Sequence, residues 1–286
     1  MEEKLANLKR ILSNMGSALI AFSGGVDSTF LLKVAHDVLG EKTVAVTASS
    51  ETYPASELEA ARRIARELGA THLIIQTEEL SKQEFVKNSP QRCYFCKKEL
   101  FSRLNKIAKE QGLNYVADAS NYDDLADFRP GMQAGQELGI RSPLKEAGLT
   151  KAEIRSLSHK MNLSTWNKPS LACLASRIPY GTRITREKLQ RVNEGEKFLR
   201  GLGIRQLRIR DHDGIARIEV AQEEMGLFWQ ENLVRLIIDK LKKLGYTYVT
   251  LDLEGYRPGS MNEVLKKVSQ SESRSNQRST GEGKSR

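Results

Sequence analysis

Residues 18–29 read ALIAFSGGVDST, an apolar run, a serine and two glycines, then Asp, Ser and Thr opening a helical pattern. That order can hold phosphate. Ala18 to Phe22 has the character of a buried strand, and from Asp27 onward the apolar residues take helical spacing. Gly24 and Gly25 let the backbone turn tightly and approach a ligand with no side chain in the way. Backbone N–H groups at the helix start then meet an anion, aided by the helix dipole. Ser23, Ser28 and Thr29 can add hydroxyl donors, and Asp27 can orient a Mg²⁺ carried by a nucleotide. Neither G-x-x-x-x-G-K-[ST] nor G-x-G-x-x-G is present here.

The second reactive group is sulfur. Cys93, Cys96 and Cys173 are the only three cysteines. An odd number in a chain of this kind argues against a disulfide framework. Cys93-Tyr94-Phe95-Cys96 is placed just before a helix, and Cys173 in a Pro/Ser/Gly-rich linker. A CxxC with one distant cysteine can be a redox pair, a zinc site short of a ligand, an iron–sulfur site, or inert packing. Structural zinc wants a fourth ligand, and none of the four histidines sits at ligand spacing to a cysteine. Three thiolates suit a [4Fe-4S] cluster with one iron left open. Arg92, Lys97 and Lys98 are expected to favour the thiolate form.

The third group is basic. Arg205, Arg208 and Arg210 lie along one strand with Arg217 across a hairpin. Arg208 and Arg210 are two apart and so share a face, an arrangement suited to phosphate. A solvated sheet face is the plainer explanation, with Glu196 and Glu219 as salt-bridge partners.

The elements that position these groups alternate. Strand patterns at 43–48, 71–76 and 114–120 follow the first strand, with helical patterns from Pro54 to Gly69 and from about Lys97 to Gly112. Strand–helix alternation implies a parallel sheet covered on both faces by right-handed crossovers. Ligands in such sheets sit beyond the carboxyl ends of the strands, where Ser23, Ser49-Ser50 and Asp118-Ala119-Ser120 form one rim. A polar, glycine-spaced stretch at 121–149 is expected to wrap the site, and a helix follows from about Lys151 to Met161. The expected domains are 1–166, an ATP-binding α/β domain, a linker at 167–185 carrying Cys173, and a small α+β domain at 186–266. In the last, a helix near Arg186 to Gly201 precedes a hairpin around Asp213-Gly214, then a helix over roughly Gln222 to Leu244 and a strand at 245–253. The polar Ser/Arg tail at 267–286 is too poor in apolar residues to fold.

The 286 residues suffice for one large or two modest cores. No apolar run approaches the ~20 residues that span a bilayer, and the acidic, then amphipathic, N-terminus has no signal-peptide core, so a cytoplasmic location without membrane contact is expected. The net charge of +9 fits nucleic acid or a phosphate-rich small molecule equally.

The segment SGGVDS resembles the PP-loop, S-G-G-x-D-S, of enzymes that split ATP between the α and β phosphates and adenylate a substrate. The chain up to its tail resembles the LarE family of PP-loop sulfur transferases. The likeness is carried by AFSGGVDST, DFRPGMQAGQELGIRSPL, TWNKPS with SRIPYGT, RIRDHDGIARIE and YVTLDLEGYRPGSMNE. It implies a PP-loop, adenine nucleotide alpha hydrolase-like, doubly wound parallel sheet with a smaller C-terminal α+β domain. It implies ATP and Mg²⁺ at Ser23, Gly24, Gly25, Asp27, Ser28, Thr29 and Ser49. The implied reaction adenylates the carboxylates of pyridinium-3,5-biscarboxylic acid mononucleotide, and sulfur then displaces AMP to leave thiocarboxylates for nickel-pincer nucleotide synthesis. Substrate contacts carry over to Ser176, Arg208 and Arg210, with acidic positions at Glu196 and Glu219. The family also implies a homo-oligomer.

The chain departs from that pattern in its sulfur. Where the best-known members carry a sacrificial cysteine, this chain has Ala172, with Cys173 one step on. Where they have an aromatic residue and an alanine, it has Cys93 and Cys96, and Leu227 replaces one acid near the pocket. It resembles instead a three-cysteine branch in which Cys93, Cys96 and Cys173 would be catalytic and would hold a [4Fe-4S] cluster that relays sulfide from an external donor. The alternative is a [4Fe-4S]-dependent PP-loop tRNA thiolase. Against it stand the lack of an obvious RNA-binding domain and an aromatic content of 6%, which leaves few rings on which bases could stack.

Overall fold

The computed structural model describes residues 1–126, 130–169, 172–257 and 259–265. The tail at 267–286 lies outside them, as do residues 127–129 of the glycine-spaced stretch. The chain forms two compact units, one from Met1–Leu174 with Arg183–Leu189, the other from Ala175–Thr182 and the chain from Gln190 on.

In the first unit the order is α1 (Glu2–Met15), β1 (Ala18–Ala21), α2 (Val26–Leu39), β2 (Thr43–Ser49), α3 (Ala55–Glu67), β3 (Thr71–Gln76), α4 (Gln83–Val86), α5 (Arg92–Glu110), β4 (Tyr115–Ala117), α6 (Pro130–Glu137), α7 (Pro143–Glu146) and α8 (Lys151–Lys160). The four strands pair in parallel in the order β3-β2-β1-β4. Alternation along β1 fixes the two faces of the sheet. Ala18 and Ile20 join Leu12 and Leu31 in one core, while Leu19 joins Phe101 and Leu104 in the other. The sheet is therefore covered on both sides, as strand–helix alternation requires.

Two boundaries differ from the sequence reading. Strand β4 stops at Ala117 rather than Ser120, because the Asp118 carboxylate accepts from Ser120 N, Ser120 Oγ and Ser142 Oγ and folds the rim inward. Helix α5 starts at Arg92, not Lys97, so Cys93 and Cys96 lie within its first turns instead of ahead of it. The buried Arg92 secures that start by donating to Asn88 Oδ1 at 2.5 Å.

In the second unit the described elements are α9 (Arg186–Gly201), whose first residues belong to the first unit, β5 (Leu207–His212), β6 (Ile215–Val220), α10 (Glu231–Lys243) and β7 (Tyr248–Leu251). Strands β5 and β6 form the expected hairpin, with Asp213 at φ 48 and Gly214 at φ 100, the signs a two-residue primed turn demands. Strand β7 adds in parallel to β6. Helix α10 seals one face through Ile237 and Leu241 against Ile209 and Ile218. The helix expected over Gln222 to Leu244 is broken. Gln222–Trp229 forms 3₁₀ turns, Gln230 is extended, and α10 begins at Glu231. Glu224 explains the break, since its carboxylate accepts Arg205 N at 2.7 Å and Gln206 N at 3.1 Å and ties this segment to the start of β5.

Candidate functional site

The loop between β1 and α2 is built by its own side chains. Ser28 Oγ accepts from Ser23 N at 3.3 Å and Gly25 N at 3.2 Å, and meets Ser23 Oγ at 3.0 Å. Its hydroxyl is thus engaged in shaping the loop. Thr29 is buried, with its Oγ1 unpartnered, while Ser23 is exposed at the rim. Gly24 sits at φ +63, and a Cβ there would lie 3.1 Å from the backbone of Ala61 on α3. Only glycine allows that turn and that approach together. The first N–H groups of α2 have no intrahelical acceptor and stand where the strand ends, an anion site by construction.

Two lysines reach this loop. Lys151 Nζ pairs with Asp27 Oδ2, while Asp27 Oδ1 is buried without a partner. Lys168 Nζ donates to Gly24 O at 3.0 Å and to Glu57 Oε2 at 2.7 Å. Lys151 stands at the first position of α8, where the helix dipole disfavours a cation. Such a placement is tolerated when the ammonium serves an anion elsewhere. Tyr53 donates to Ser23 O at 2.6 Å, and burial, then Glu57, raises its phenol above the usual range, keeping it a donor. Ser49, at the end of β2, lies half-buried on the same rim.

The thiols occupy another part of this unit. Cys93 and Cys96 are three apart on α5 and share a helix face. Gly131 on α6 lets that helix pack against the turn, since a Cβ there would stand 3.4 Å from Cys93 O and 2.9 Å from Lys97 Cγ. Cys173 lies beside Leu174, whose N–H donates to Thr52 O at 3.0 Å and anchors the segment to the loop after β2. Burial pushes the Cys96 thiol well above its usual range, and the charges of Cys173, Glu79 and Cys93 push the same way, against a smaller opposing effect of Lys97. The expectation that nearby cations favour a thiolate is therefore corrected at Cys96: desolvation and negative neighbours win. Cys93 and Cys173 are exposed, and Arg92 Nη2 lies 3.9 Å from Cys93 Sγ.

Among the described residues, no three of His, Cys, Asp and Glu already stand in metal-holding geometry. The three thiols are of the donor type an iron–sulfur site uses, and a buried carboxylate lies beside Cys96. Glu79 is 6% exposed, its Oε1 accepts Thr77 Oγ1 at 3.0 Å and lies 4.0 Å from Cys96 Sγ, and its Oε2 has no partner.

The second unit holds the arginines. Arg208 and Arg210 are buried, not spread on a wet sheet face. Arg208 stacks over the Tyr256 ring at 5.1 Å, and burial, then the charge of Arg177, lowers its guanidinium to about 10. Arg210 donates to Ser176 O, Glu219 Oε2 and Ser260 Oγ, leaving its Nε unpartnered. Glu219 also accepts from Arg217 at 2.9 Å. Glu196 is spent on Arg177, which grips it through two bonds, and on Arg200. Five arginines, Arg177, Arg200, Arg208, Arg210 and Arg217, against Glu196, Glu219 and the Asp252 that Arg217 also reaches leave a positive excess. Ser176, Arg208, Arg210, Glu196 and Glu219 thus form one network, and it suits a phosphate monoester. Arg177, Lys151, Lys168 and Glu79 were not singled out from sequence. Arg177 and Lys168 lie inside the motifs SRIPYGT and TWNKPS, whereas Glu79 and Lys151 carry no spacing signal.

Comparison with known proteins places this geometry among relatives. The family model of the queuosine biosynthesis protein QueC matches residues 17–91, which hold β1, the glycine loop and β2. An uncharacterised protein of Synechocystis sp. is 46% identical over 267 residues, covering 93% of this chain and all of that protein. Pyridinium-3,5-bisthiocarboxylic acid mononucleotide synthase of Lactiplantibacillus plantarum is 41% identical over 266 residues, covering 93% of this chain and 96% of the relative. An uncharacterised protein of Methanocaldococcus jannaschii is 32% identical over 251 residues, or 88% of this chain and 94% of that one.

Proposed function

We propose that this chain, which belongs to the LarE family of pyridinium-3,5-bisthiocarboxylic acid mononucleotide synthases within the PP-loop proteins, is an ATP-dependent enzyme that turns the two carboxylates of a pyridinium mononucleotide into thiocarboxylates. The observation that carries the reading is the 41% identity, which runs through both units and nearly the whole of the named synthase. No helix among the described residues is long and apolar enough to cross a membrane, and the reading has the enzyme working on cytoplasmic ATP.

The chemistry needs an activated acyl group. A carboxylate is a poor electrophile, so its oxygen first attacks the α-phosphorus of ATP and pyrophosphate leaves. Sulfur then attacks the carbonyl carbon and AMP leaves. The loop from Ser23 to Thr29 would hold the departing pyrophosphate on the N–H groups of α2, with Lys151 and Lys168 supplying positive charge and Asp27 orienting the Mg²⁺ that ATP brings. Asp27's buried, unpartnered oxygen supports that role. Arg208 and Arg210, with Ser176, would bind the substrate's own phosphate.

Ala172 stands where a sacrificial cysteine would lie, which favours relay over self-consumption. Cys93, Cys96 and Cys173 would hold a [4Fe-4S] cluster, and such a cluster supplies an open iron on which sulfide can be presented. An external sulfide donor and a homo-oligomeric assembly belong to the same reading.

The test is kinetic. With the biscarboxylic acid mononucleotide present, AMP and pyrophosphate should appear, and Arg208→Ala should raise the KM for that substrate about tenfold while ATP affinity stays within about twofold. Equal loss of both would contradict the assignment of Arg208, and AMP formation indifferent to the mononucleotide would contradict the substrate.

A further inference from the structure

We infer that Tyr53 is a positioning residue for nucleotide binding: its hydroxyl holds the carbonyl of Ser23 and so aims the N–H of Gly24 at the pyrophosphate end of ATP; this rests on the nucleotide site given above. Tyr53 lies between β2 and α3, a part of the chain that carries none of the recognised motifs. Its hydroxyl donates to Ser23 O at 2.6 Å. In a planar trans peptide the carbonyl and the N–H that follows it point in opposite directions. Fixing Ser23 O therefore fixes Gly24 N–H. Of the three N–H groups in this turn, those of Ser23 and Gly25 go to Ser28 Oγ, whereas that of Gly24 meets no acceptor among the described residues. It is the one left to meet an anion.

Glycine explains why a clamp is needed. Gly24 adopts φ +63 and packs against Ala61, but a glycine takes positive and negative φ with similar ease. The Ser23–Gly24 peptide can therefore turn over by a paired change of Ser23 ψ and Gly24 φ, the exchange that separates type I from type II turns. Its N–H then faces away. A bond to the carbonyl selects one of the two orientations. The neighbouring peptides are held in the same manner. Thr47 Oγ1 donates to Phe22 O at 2.7 Å, and Lys168 Nζ donates to Gly24 O at 3.0 Å while paired with Glu57. Three consecutive carbonyls are thus taken by three side chains from outside the loop, and Tyr53 governs the peptide whose N–H is unpartnered. The phenol stays a donor, since burial and then the charge of Glu57 disfavour the phenolate. Donors fixed before the anion arrives need no reorganisation on binding, and a preorganised site gains affinity in that way.

The experiment titrates the full chain, as wild type and as Tyr53→Phe, with magnesium pyrophosphate and with AMP by calorimetry. The variant should bind pyrophosphate about tenfold more weakly and AMP within about twofold of wild type. Amide spectra of protein made with isotopically labelled glycine supply a second readout, the Gly24 resonance being identified by its loss in Gly24→Ala. Pyrophosphate should move the Gly24 amide proton downfield in wild type and much less in Tyr53→Phe. The melting temperatures of wild type and Tyr53→Phe should agree within about 3 °C. Wild-type affinity for pyrophosphate in Tyr53→Phe, with the full amide shift, would overturn the assignment of Tyr53 while leaving the nucleotide site in place. Equal weakening of both ligands, or a lost melting transition, would make Tyr53 a structural residue and overturn it as well. Wild type that binds neither ligand would overturn the nucleotide site itself, and with it the N–H that Tyr53 is said to aim.

Discussion

Arg177 and Glu196 meet through two hydrogen bonds, Nε to Oε1 at 2.8 Å and Nη2 to Oε2 at 3.0 Å, with each side chain only 1% exposed. Arg177 precedes the proline–glycine turn of SRIPYGT and Glu196 lies mid-helix on α9, so the pair locks the segment bearing Ser176 to the helix beneath the arginine cluster. Glu196 Oε1 further accepts Ile209 N, which links the same carboxylate to β5 between Arg208 and Arg210.

Removing Arg177 takes the two-bond partner from a buried carboxylate and leaves only Arg200 and Ile209 N to compensate it. Arg177→Met should destabilise the second unit by about 3–5 kcal/mol, measured as a shift in the urea midpoint. A loss below about 1 kcal/mol would mean the pair is not holding this unit together.

The same pair sets an acid response. Burial alone would raise the Glu196 carboxyl, but the charge and hydrogen bonds of Arg177, then Arg200 and Arg208, overcome it and hold the group at about 2 against an ordinary 4.5. A depressed folded-state pKa stabilises the protein above the unfolded value and ceases to do so as pH falls through the folded one. Urea midpoints should therefore drop between pH 4.5 and about 2, and the drop should be shallower in Glu196→Gln. Equal slopes would contradict the assignment.

The two loop glycines should behave differently. Gly24→Ala forces a left-handed φ of +63 on alanine and drives its Cβ to 3.1 Å from Ala61, costing about 1–3 kcal/mol and most ATP binding. Gly25 has φ −82, and a Cβ there would meet only Ser23 Oγ at 3.4 Å, so Gly25→Ala should keep its stability within about 0.5 kcal/mol. Thermal melting with and without ATP separates the two cases.

Lys151 offers a test of where the pyrophosphate lies. Its ammonium already stands on Asp27, at the mouth of the loop. Lys151→Met should weaken ATP about tenfold and leave AMP nearly unchanged, since only ATP carries the phosphates that lysine would meet. Calorimetric titration with both nucleotides decides this; parallel losses would place Lys151 elsewhere.

Much of this molecule was legible because its signals are local. The order strand, SGG, Asp, hydroxyls announces the loop, and strand–helix alternation announces the parallel sheet. The hairpin at Asp213-Gly214 followed from its turn residues alone. What escaped depends on tertiary contacts. Arg92 and Asn88 extend α5 backward over the cysteines, and Glu224 breaks the helix expected across Gln222 to Leu244. Glu79 lies in an unremarkable Thr-Glu-Glu-Leu run, and only burial beside Cys96 distinguishes it from its exposed neighbour Glu78. Local cations likewise suggested a thiolate at Cys96, whereas burial, invisible in sequence, reverses the sign.

The most direct measurement is the mass of the product formed by anaerobically reconstituted enzyme supplied with ATP, sulfide and pyridinium-3,5-biscarboxylic acid mononucleotide. Sulfur should replace oxygen in one carboxylate and then the other, with more than one sulfur transferred per chain and one AMP released for each. AMP released into a product that carries no sulfur, or transfer that stops after a single sulfur per chain, would contradict a catalytic sulfur transferase of this design.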